Sequence, residues 1–313
     1  MPAVHTSALE LIGNTPLVAL ERLHPGPGRI LAKAEFLNPG GSVKDRAARR
    51  IVHDALREGR LAAGQAVVEM TSGNMGAGLA LVCNVLGHRF TAVMSAGNSP
   101  ERARMLEALG AEVVLVPQVD GGPGQVTGAD VKAAAAEARQ LARRRGAWYV
   151  DQFHNPGSVA AHEHGTGPEI WRDLEGRLDA FVAIVGSGGT FVGTSRYLKS
   201  RNPRIVCAAV EPEGCEPLAG RRVTRPRHLL QGTGYGVVPP HWERKLADAV
   251  LCVSDDEAVL YRKLLAEKEG LHVGFSAAAN VCASVKLLKS GRMPREGTVV
   301  TVLCDTGLKY SST

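Results

Sequence analysis

Aromatic residues are scarce. Six Phe, five Tyr and three Trp make up 4% of the 313 residues. That is too few for the stacking platforms that single-stranded nucleic acid requires. The net charge of +6 is also spread thinly, with small clusters only at Arg143, Arg144, Arg145 and at Arg221, Arg222, Arg225, Arg227. Nucleic-acid binding is a weak reading, and a mildly basic site that attracts small anions fits better. No uninterrupted apolar stretch is long enough to span a bilayer, so no membrane partner is expected. The start, Met1-Pro2-Ala3-Val4-His5-Thr6, lacks the basic and apolar regions of a secretory signal, which makes the cytoplasm the expected location. The six cysteines, Cys83, Cys207, Cys215, Cys252, Cys282 and Cys304, form no Cys-x-x-Cys pair and no His–Cys cluster of zinc spacing. No metal site is expected. Buried free thiols in a reducing compartment are.

What is present is a regular alternation. Strand-like runs at 66–69, 90–94 and 112–116 are each followed by a helical stretch, at 76–86, 101–109 and 129–145. The second half repeats the rhythm, with strands at 180–185, 204–210 and 298–303 and a helix at 191–199. Such βα alternation predicts an α/β protein with mainly parallel sheets, doubly wound, with helices on both faces. Two series of this kind, in a chain 44% hydrophobic and 22% charged, predict two α/β domains with a cleft between them. Gly121-Gly122-Pro123-Gly124 reads as a connector, and the Gly- and Pro-rich stretch 221–235 as a mobile flap or an irregular surface loop.

Four glycine-rich segments carry chemical groups. In Asn38-Pro39-Gly40-Gly41-Ser42-Val43-Lys44-Asp45-Arg46, the first residues force a turn, Ser42 reads as an N-cap, and Lys44 projects from the first turn of a helix. A lysine amine held this way can form a Schiff base with an aldehyde cofactor, although an exposed lysine is the commoner fate. Thr71-Ser72-Gly73-Asn74-Met75-Gly76 lies between a strand and a helix. Its side-chain donors and the helix N-terminus suit a carboxylate as well as they suit a simple capped turn. Gly186-Ser187-Gly188-Gly189-Thr190 follows the most apolar strand and opens a helix, as a phosphate cradle does. It is neither a Walker loop nor a sound dinucleotide fingerprint. Ser276, between small residues at a helix start, can cap the helix or face a heterocyclic nitrogen. Together these supply a lysine, a phosphate cradle, a carboxylate turn and a neutral hydroxyl, the parts that pyridoxal 5'-phosphate calls for.

On these residues the chain resembles the cysteine synthase (O-acetylserine sulfhydrylase) and cystathionine β-synthase family of fold-type II pyridoxal phosphate enzymes, the tryptophan synthase β-like fold. The likeness runs from Ile12-Gly13-Asn14-Thr15-Pro16-Leu17 to Asp305-Thr306-Gly307-Leu308-Lys309-Tyr310-Ser311-Ser312. It includes Gln152-Phe153, Asn155-Pro156 and Thr166-Gly167-Pro168-Glu169-Ile170-Trp171. The resemblance implies that Lys44 is the Schiff-base lysine and that Asn74 bonds the cofactor's ring oxygen. It gives the phosphate to Gly186, Ser187, Gly188, Gly189 and Thr190, and the pyridine nitrogen to Ser276. Thr71, Ser72 and Gln152 then hold the substrate carboxylate, with Met75 at the substrate-facing turn. It further implies a smaller mobile domain at 38–150, and a larger cofactor-binding domain of 1–37 plus 151–313 with the cofactor in the cleft. A homodimer is expected, and the tail of a serine acetyltransferase, which some relatives bind, is a candidate partner.

The reaction so implied is β-replacement on an O-activated L-serine, best O-acetyl-L-serine, through an α-aminoacrylate intermediate, giving L-cysteine with sulfide. A neutral Ser276 rather than a carboxylate suits elimination over transamination. Departures from the family lie at Met75 (usually Thr), Ala278 (usually Gly) and Gly165 (usually Thr). They leave open a specialised β-substituted alanine synthase with a nitrogen, oxygen or carbon nucleophile, or a serine/threonine lyase or racemase. A vestigial cofactor-binding protein is disfavoured by the intact Lys44. The basic stretch holding Arg221, Arg222, Arg225 and Arg227 raises O-phosphoserine as a donor, but Gln231 stands where phosphoserine users carry arginine.

Overall fold

The computed structural model describes residues 4–122 and 125–310; Pro123 and Gly124 of the expected connector, and residues 311–313, lie outside the described residues. In chain order the elements are β1 (Leu17–Ala19), β2 (Arg29–Ala34), α1 (Lys44–Arg57), β3 (Val67–Met70), α2 (Asn74–Leu86), β4 (Phe90–Ser95), α3 (Pro100–Ala108), β5 (Glu112–Val116) and α4 (Gly128–Arg145). They continue with β6 (Trp148–Tyr149), α5 (Gly157–Ala161), α6 (Gly167–Asp173), β7 (Ala180–Ile184), α7 (Gly189–Arg201), β8 (Val206–Pro212), β9 (Ala249–Val253), α8 (Asp255–Glu269), α9 (Phe275–Lys289) and β10 (Thr298–Leu303).

The chain divides into two compact units. One is Met1–Ile12 with Lys44–Ser158; the other is Gly13–Val43 with Val159–Thr313. The sequence expectation divided the chain at 38 and 150. The segment ending at Ile12 groups with the first unit because Arg49 of α1 donates to Leu9 O and Ile12 O, both at 2.8 Å.

The first unit is built on a parallel sheet of order β5-β4-β3-β6. Val68 of β3 and Val93 of β4 pack against Ala138, Leu141 and Ala142 of α4, while their strand neighbours Val67 and Ala92 are equally buried on the opposite face. α4 is fixed at its start by a capping box, in which Thr127 and Asp130 each accept from the other's backbone amide, and at its end by Gly146 in the left-handed region.

The second unit is a six-stranded sheet of order β1-β2-β10-β7-β8-β9, with only β1 antiparallel to its neighbour. Its strands are mostly apolar on both faces, as a doubly covered parallel sheet requires. Val182, Ile184, Val299 and Leu303 pack with Ala278, Val281 and Cys282 of α9. Phe181, Ala183, Val300 and Val302 pack with Phe191, Val192 and Leu198 of α7 and Ile170 of α6. Lys33, fully buried in β2, pairs with Glu169 at 2.8 Å, which gives the glutamate of the 166–171 motif a structural duty.

The expected strands 112–116 and 298–303 match β5 and β10, while α2 and α7 each begin two residues earlier than the pattern suggests. β6, β9 and α8 were not anticipated. All six cysteines are free thiols. Burial pushes Cys83 and Cys282 up to about 12 and Cys207 up to about 11. No helix among the described residues is long and apolar enough to cross a membrane.

Candidate active site

The first unit brings together six of the expected residues. Lys44 opens α1 and is half-buried. α1 lies hard against α2. A Cβ on Gly78 would sit 3.1 Å from the Ala48 Cβ and 3.2 Å from the Asp45 Cα, so the approach depends on glycine. The start of α1 is thereby fixed beside the first turns of α2, which opens at Asn74 directly after the turn that leaves β3.

That turn is held by its own side chains. Gly73 occupies the N-cap position of α2 with no side-chain bond, and the buried Thr71 Oγ1 accepts from Gly76 N at 3.0 Å instead. Ser72 and Asn74 are half-buried and Met75 is buried. Polar side chains and helix-start amides thus gather at the C-terminal end of a parallel strand, where α/β sheets bind ligands.

Two residues that sequence reasoning missed complete this arrangement. Arg102 of α3 donates to Ser72 O at 3.2 Å and reaches Ser72 Oγ at 3.4 Å, bracing the turn from outside. Glu69, buried at 1% exposure near the end of β3, accepts from Asp151 N at 2.8 Å, Gln152 N at 3.4 Å and Gln152 Nε2 at 3.2 Å. Gln152 is therefore oriented by a carboxyl beneath it. Burial pushes Glu69 up to about 8, against the opposite pull of those hydrogen bonds. The available signal was a glutamate at the end of an otherwise apolar strand.

The second unit carries the other group. After β7 the chain turns through Gly186, Ser187 and Gly188 into α7, whose N-cap Gly188 has φ +94° and whose first turn has no side-chain cap. Its first amides thus lie without a side-chain cap at the positive end of a 13-residue helix, an arrangement that suits an anion. Gly186 answers a different need: a Cβ there would lie 2.4 Å from Gly232 O.

Ser276 is the second residue of α9 and half-buried. Gly274, not the serine, is the N-cap, and a Cβ on it would meet Asp305 Oδ1 at 2.2 Å. One turn further on, Asn280 Oδ1 accepts from Ile184 N at 2.6 Å and its Nδ2 donates to Val302 O at 2.8 Å. Ser276 thus lies on the face of α9 that meets the C-terminal ends of β7 and β10, the same ends from which the 186–190 turn departs. The basic stretch is partly committed elsewhere: Arg221 pairs with Glu216 and Arg225 with Asp255, both at 2.7 Å.

A family model described as "Pyridoxal-phosphate dependent enzyme" matches residues 8–305. The chain belongs to this family. The pyridoxal-phosphate dependent enzyme described here is 39% identical over 308 residues to Cysteine synthase A of Escherichia coli strain K12, covering 96% of this chain and 92% of that one. Among solved structures it is similar to an O-ureido-L-serine synthase, with TM-score 0.91, 36% identity and coverage of 99% and 95%. It is also similar to O-acetyl serine sulfhydrylase isoform 3 from Entamoeba histolytica, with TM-score 0.89, 32% identity and coverage of 100% and 91%. Pyridoxal 5'-phosphate is the cofactor, and the residues present fit it. An uncapped helix start entered through glycines suits a phosphate. The half-buried Ser276 carries a neutral hydroxyl, a donor from which a pyridine nitrogen can accept a hydrogen bond.

Proposed function

We propose that this enzyme replaces the acetate of O-acetyl-L-serine with sulfide at Cβ, giving L-cysteine. The observation that carries this reading is the polar 71–75 turn lying in the same unit as Lys44, beside the start of its helix. It is supported by the full-length likeness to Cysteine synthase A. When bound, pyridoxal 5'-phosphate withdraws electrons from the substrate's Cα. Lys44 would hold the cofactor through its amine, and that amine is the base placed to take the Cα proton. Gly186, Ser187, Gly188, Gly189 and Thr190 would hold the phosphate, Asn74 would bond the ring oxygen and Ser276 would meet the ring nitrogen. Thr71, Ser72 and Gln152 orient the substrate carboxylate. Met75 brings bulk and a soft thioether but no donor to that turn. Purified enzyme given O-acetyl-L-serine and sulfide is expected to release L-cysteine. A higher kcat/KM for O-phosphoserine, or no cysteine from either donor, would remove the reading.

A second reading is favoured by one comparison. O-ureido-L-serine is itself a β-substituted alanine, and a synthase of it is among the similar structures. With Met75 in place of the expected threonine, a nucleophile other than sulfide fits the same chemistry, and a product-mass screen across sulfur, nitrogen and oxygen nucleophiles separates the two. We also infer a cytoplasmic homodimer, with the tail of a serine acetyltransferase as candidate partner. These inferences rest on the family resemblance, and sedimentation with and without that tail tests both states of assembly.

A further inference from the structure

Behind the 186–190 turn, two side chains to which the proposed reaction gives no part, His162 and Thr166, run in a row with Thr190. His162 is 1% exposed and Thr166 is wholly buried. Both belong to the π-helical turn His162–Thr166 that leads into α6. His162 Nδ1 lies 2.9 Å from Thr166 Oγ1, and its Nε2 lies 3.2 Å from Thr190 Oγ1. Gly193 of α7 permits this approach, since a Cβ there would sit 2.2 Å from Val159 O and 2.9 Å from the His162 Cβ. A neutral imidazole has one N–H and one lone pair, so the row can run in two senses. In the first, Thr166 donates to Nδ1 and the Nε2 proton goes to Thr190 Oγ1. The Thr190 hydroxyl proton is then left for an outside acceptor. In the second, Nδ1–H donates to Thr166 and Thr190 spends its proton on Nε2. The Thr190 side chain then presents only oxygen lone pairs. A phosphate dianion accepts hydrogen bonds and donates none, so it tolerates the first sense, or a doubly protonated ring, and rejects the second.

We propose that His162 is a positioning residue that fixes Thr190 as a hydrogen-bond donor to the cofactor's phosphate. The inference rests on the reading of 186–190 as the phosphate turn. The row adds what bare amides lack: a buried relay whose proton order is set by the charge of the ligand.

The test titrates the cofactor-stripped full chain with pyridoxal 5'-phosphate and with pyridoxal, which lacks the phosphate. His162→Phe keeps a ring but removes both nitrogens. It is expected to weaken pyridoxal 5'-phosphate about tenfold, the scale of one hydrogen bond to a charged group, and to leave pyridoxal unchanged. His162→Gln, whose amide can donate to Thr190, is expected to recover most of the loss. Thr190→Val is expected to match His162→Phe, and the double variant to lose no more than either. Equal losses for the two ligands, or losses that add in the double variant, overturn the relay. If Thr190→Val weakens the phosphate ligand and His162→Phe does not, the relay falls and the phosphate turn stands. If Thr190→Val leaves the affinity for the phosphate ligand unchanged, the relay falls; if Gly186→Ala leaves it unchanged as well, the turn assignment falls with it. Where His162→Phe fails to fold, nitrogen-15 spectra of the histidine-labelled wild-type holoenzyme decide the matter. A proton on His162 Nε2 is expected, and a neutral ring protonated on Nδ1 alone overturns the proposal.

Discussion

The two units use the same device, a turn between a parallel strand and a helix, with opposite furnishings. In the first unit the turn after β3 is made of side chains: Thr71 replaces the helix cap, Arg102 braces Ser72, and Met75 fills the first helical turn. In the second the turn after β7 is nearly all backbone, with Gly188 at φ +94° and Gly186 pressed against Gly232. A turn built mostly of backbone, with the Thr190 hydroxyl beside it, reads charge and size more than shape, which suits a phosphate. A side-chain turn can be re-cut one residue at a time, which suits a substrate. Specificity is therefore expected to drift at the first turn while the hold on the phosphate stays with the second.

Lys44→Ala separates the two turns from the chemistry. Turnover is expected to fall at least about a thousandfold while the cofactor is retained by the second unit; steady-state rates and the visible absorption of the bound cofactor report the two effects. Wild-type turnover in this variant would end the proposal.

Gly186→Ala puts a Cβ 2.4 Å from the Gly232 carbonyl oxygen. It is expected to weaken pyridoxal 5'-phosphate about ten- to a hundredfold. Ser72→Ala, its counterpart in the other turn, is expected to raise the KM for O-acetyl-L-serine only severalfold and to leave cofactor affinity alone. If the two variants gave the same pattern, the division of labour would be wrong.

Met75→Thr restores a hydroxyl worth about 1.5–3 kcal/mol if it meets a charged group without a substitute. It is expected to shift the ratio of sulfide to nitrogen-nucleophile rates by about tenfold in favour of sulfide. Matching nucleophile profiles for the two proteins would show that position 75 carries no specificity.

The smallest effect concerns Glu69. Its carboxyl ionises near 8 in the folded chain, against 4.5 when exposed. Between those values the folded chain keeps a proton that the unfolded chain has released, so stability falls as pH climbs through that window and levels off on either side. Glu69→Gln is expected to flatten that stretch of a plot of Tm against pH. An unchanged slope would place the titration elsewhere.

The sequence was most legible where the pattern was local. β5 and β10 are runs of β-branched and apolar residues bounded by turns, and pattern alone found their ends. α8 carries an equally local sign, the Ser254–Glu257 capping box. β6 offers no such sign: two residues become a strand only by pairing with β3. The same limit applies at the site. Glycines announced both turns, because left-handed φ and close approach demand them. Glu69 beneath Gln152, and His162 behind Thr190, lie 83 and 28 residues from their partners, and only the folded chain shows that they meet.

The pairing of β2 with β10 has a consequence for how the molecule is made. Arg29–Ala34 finds its parallel partner in Thr298–Leu303, about 260 residues later. At the usual pace of synthesis, about 5–20 residues per second, an apolar strand waits roughly 13–50 s for its neighbour. The first unit's sheet, from Val67 to Tyr149, is complete long before that. A nascent chain should therefore carry a finished small sheet and an unfinished large one, with β2 open on its β10 side. Ribosome-stalled chains ending before Thr298 are expected to resist protease over 44–158 and to be cut at 29–34, and chains released at that length are expected to aggregate through the same open edge.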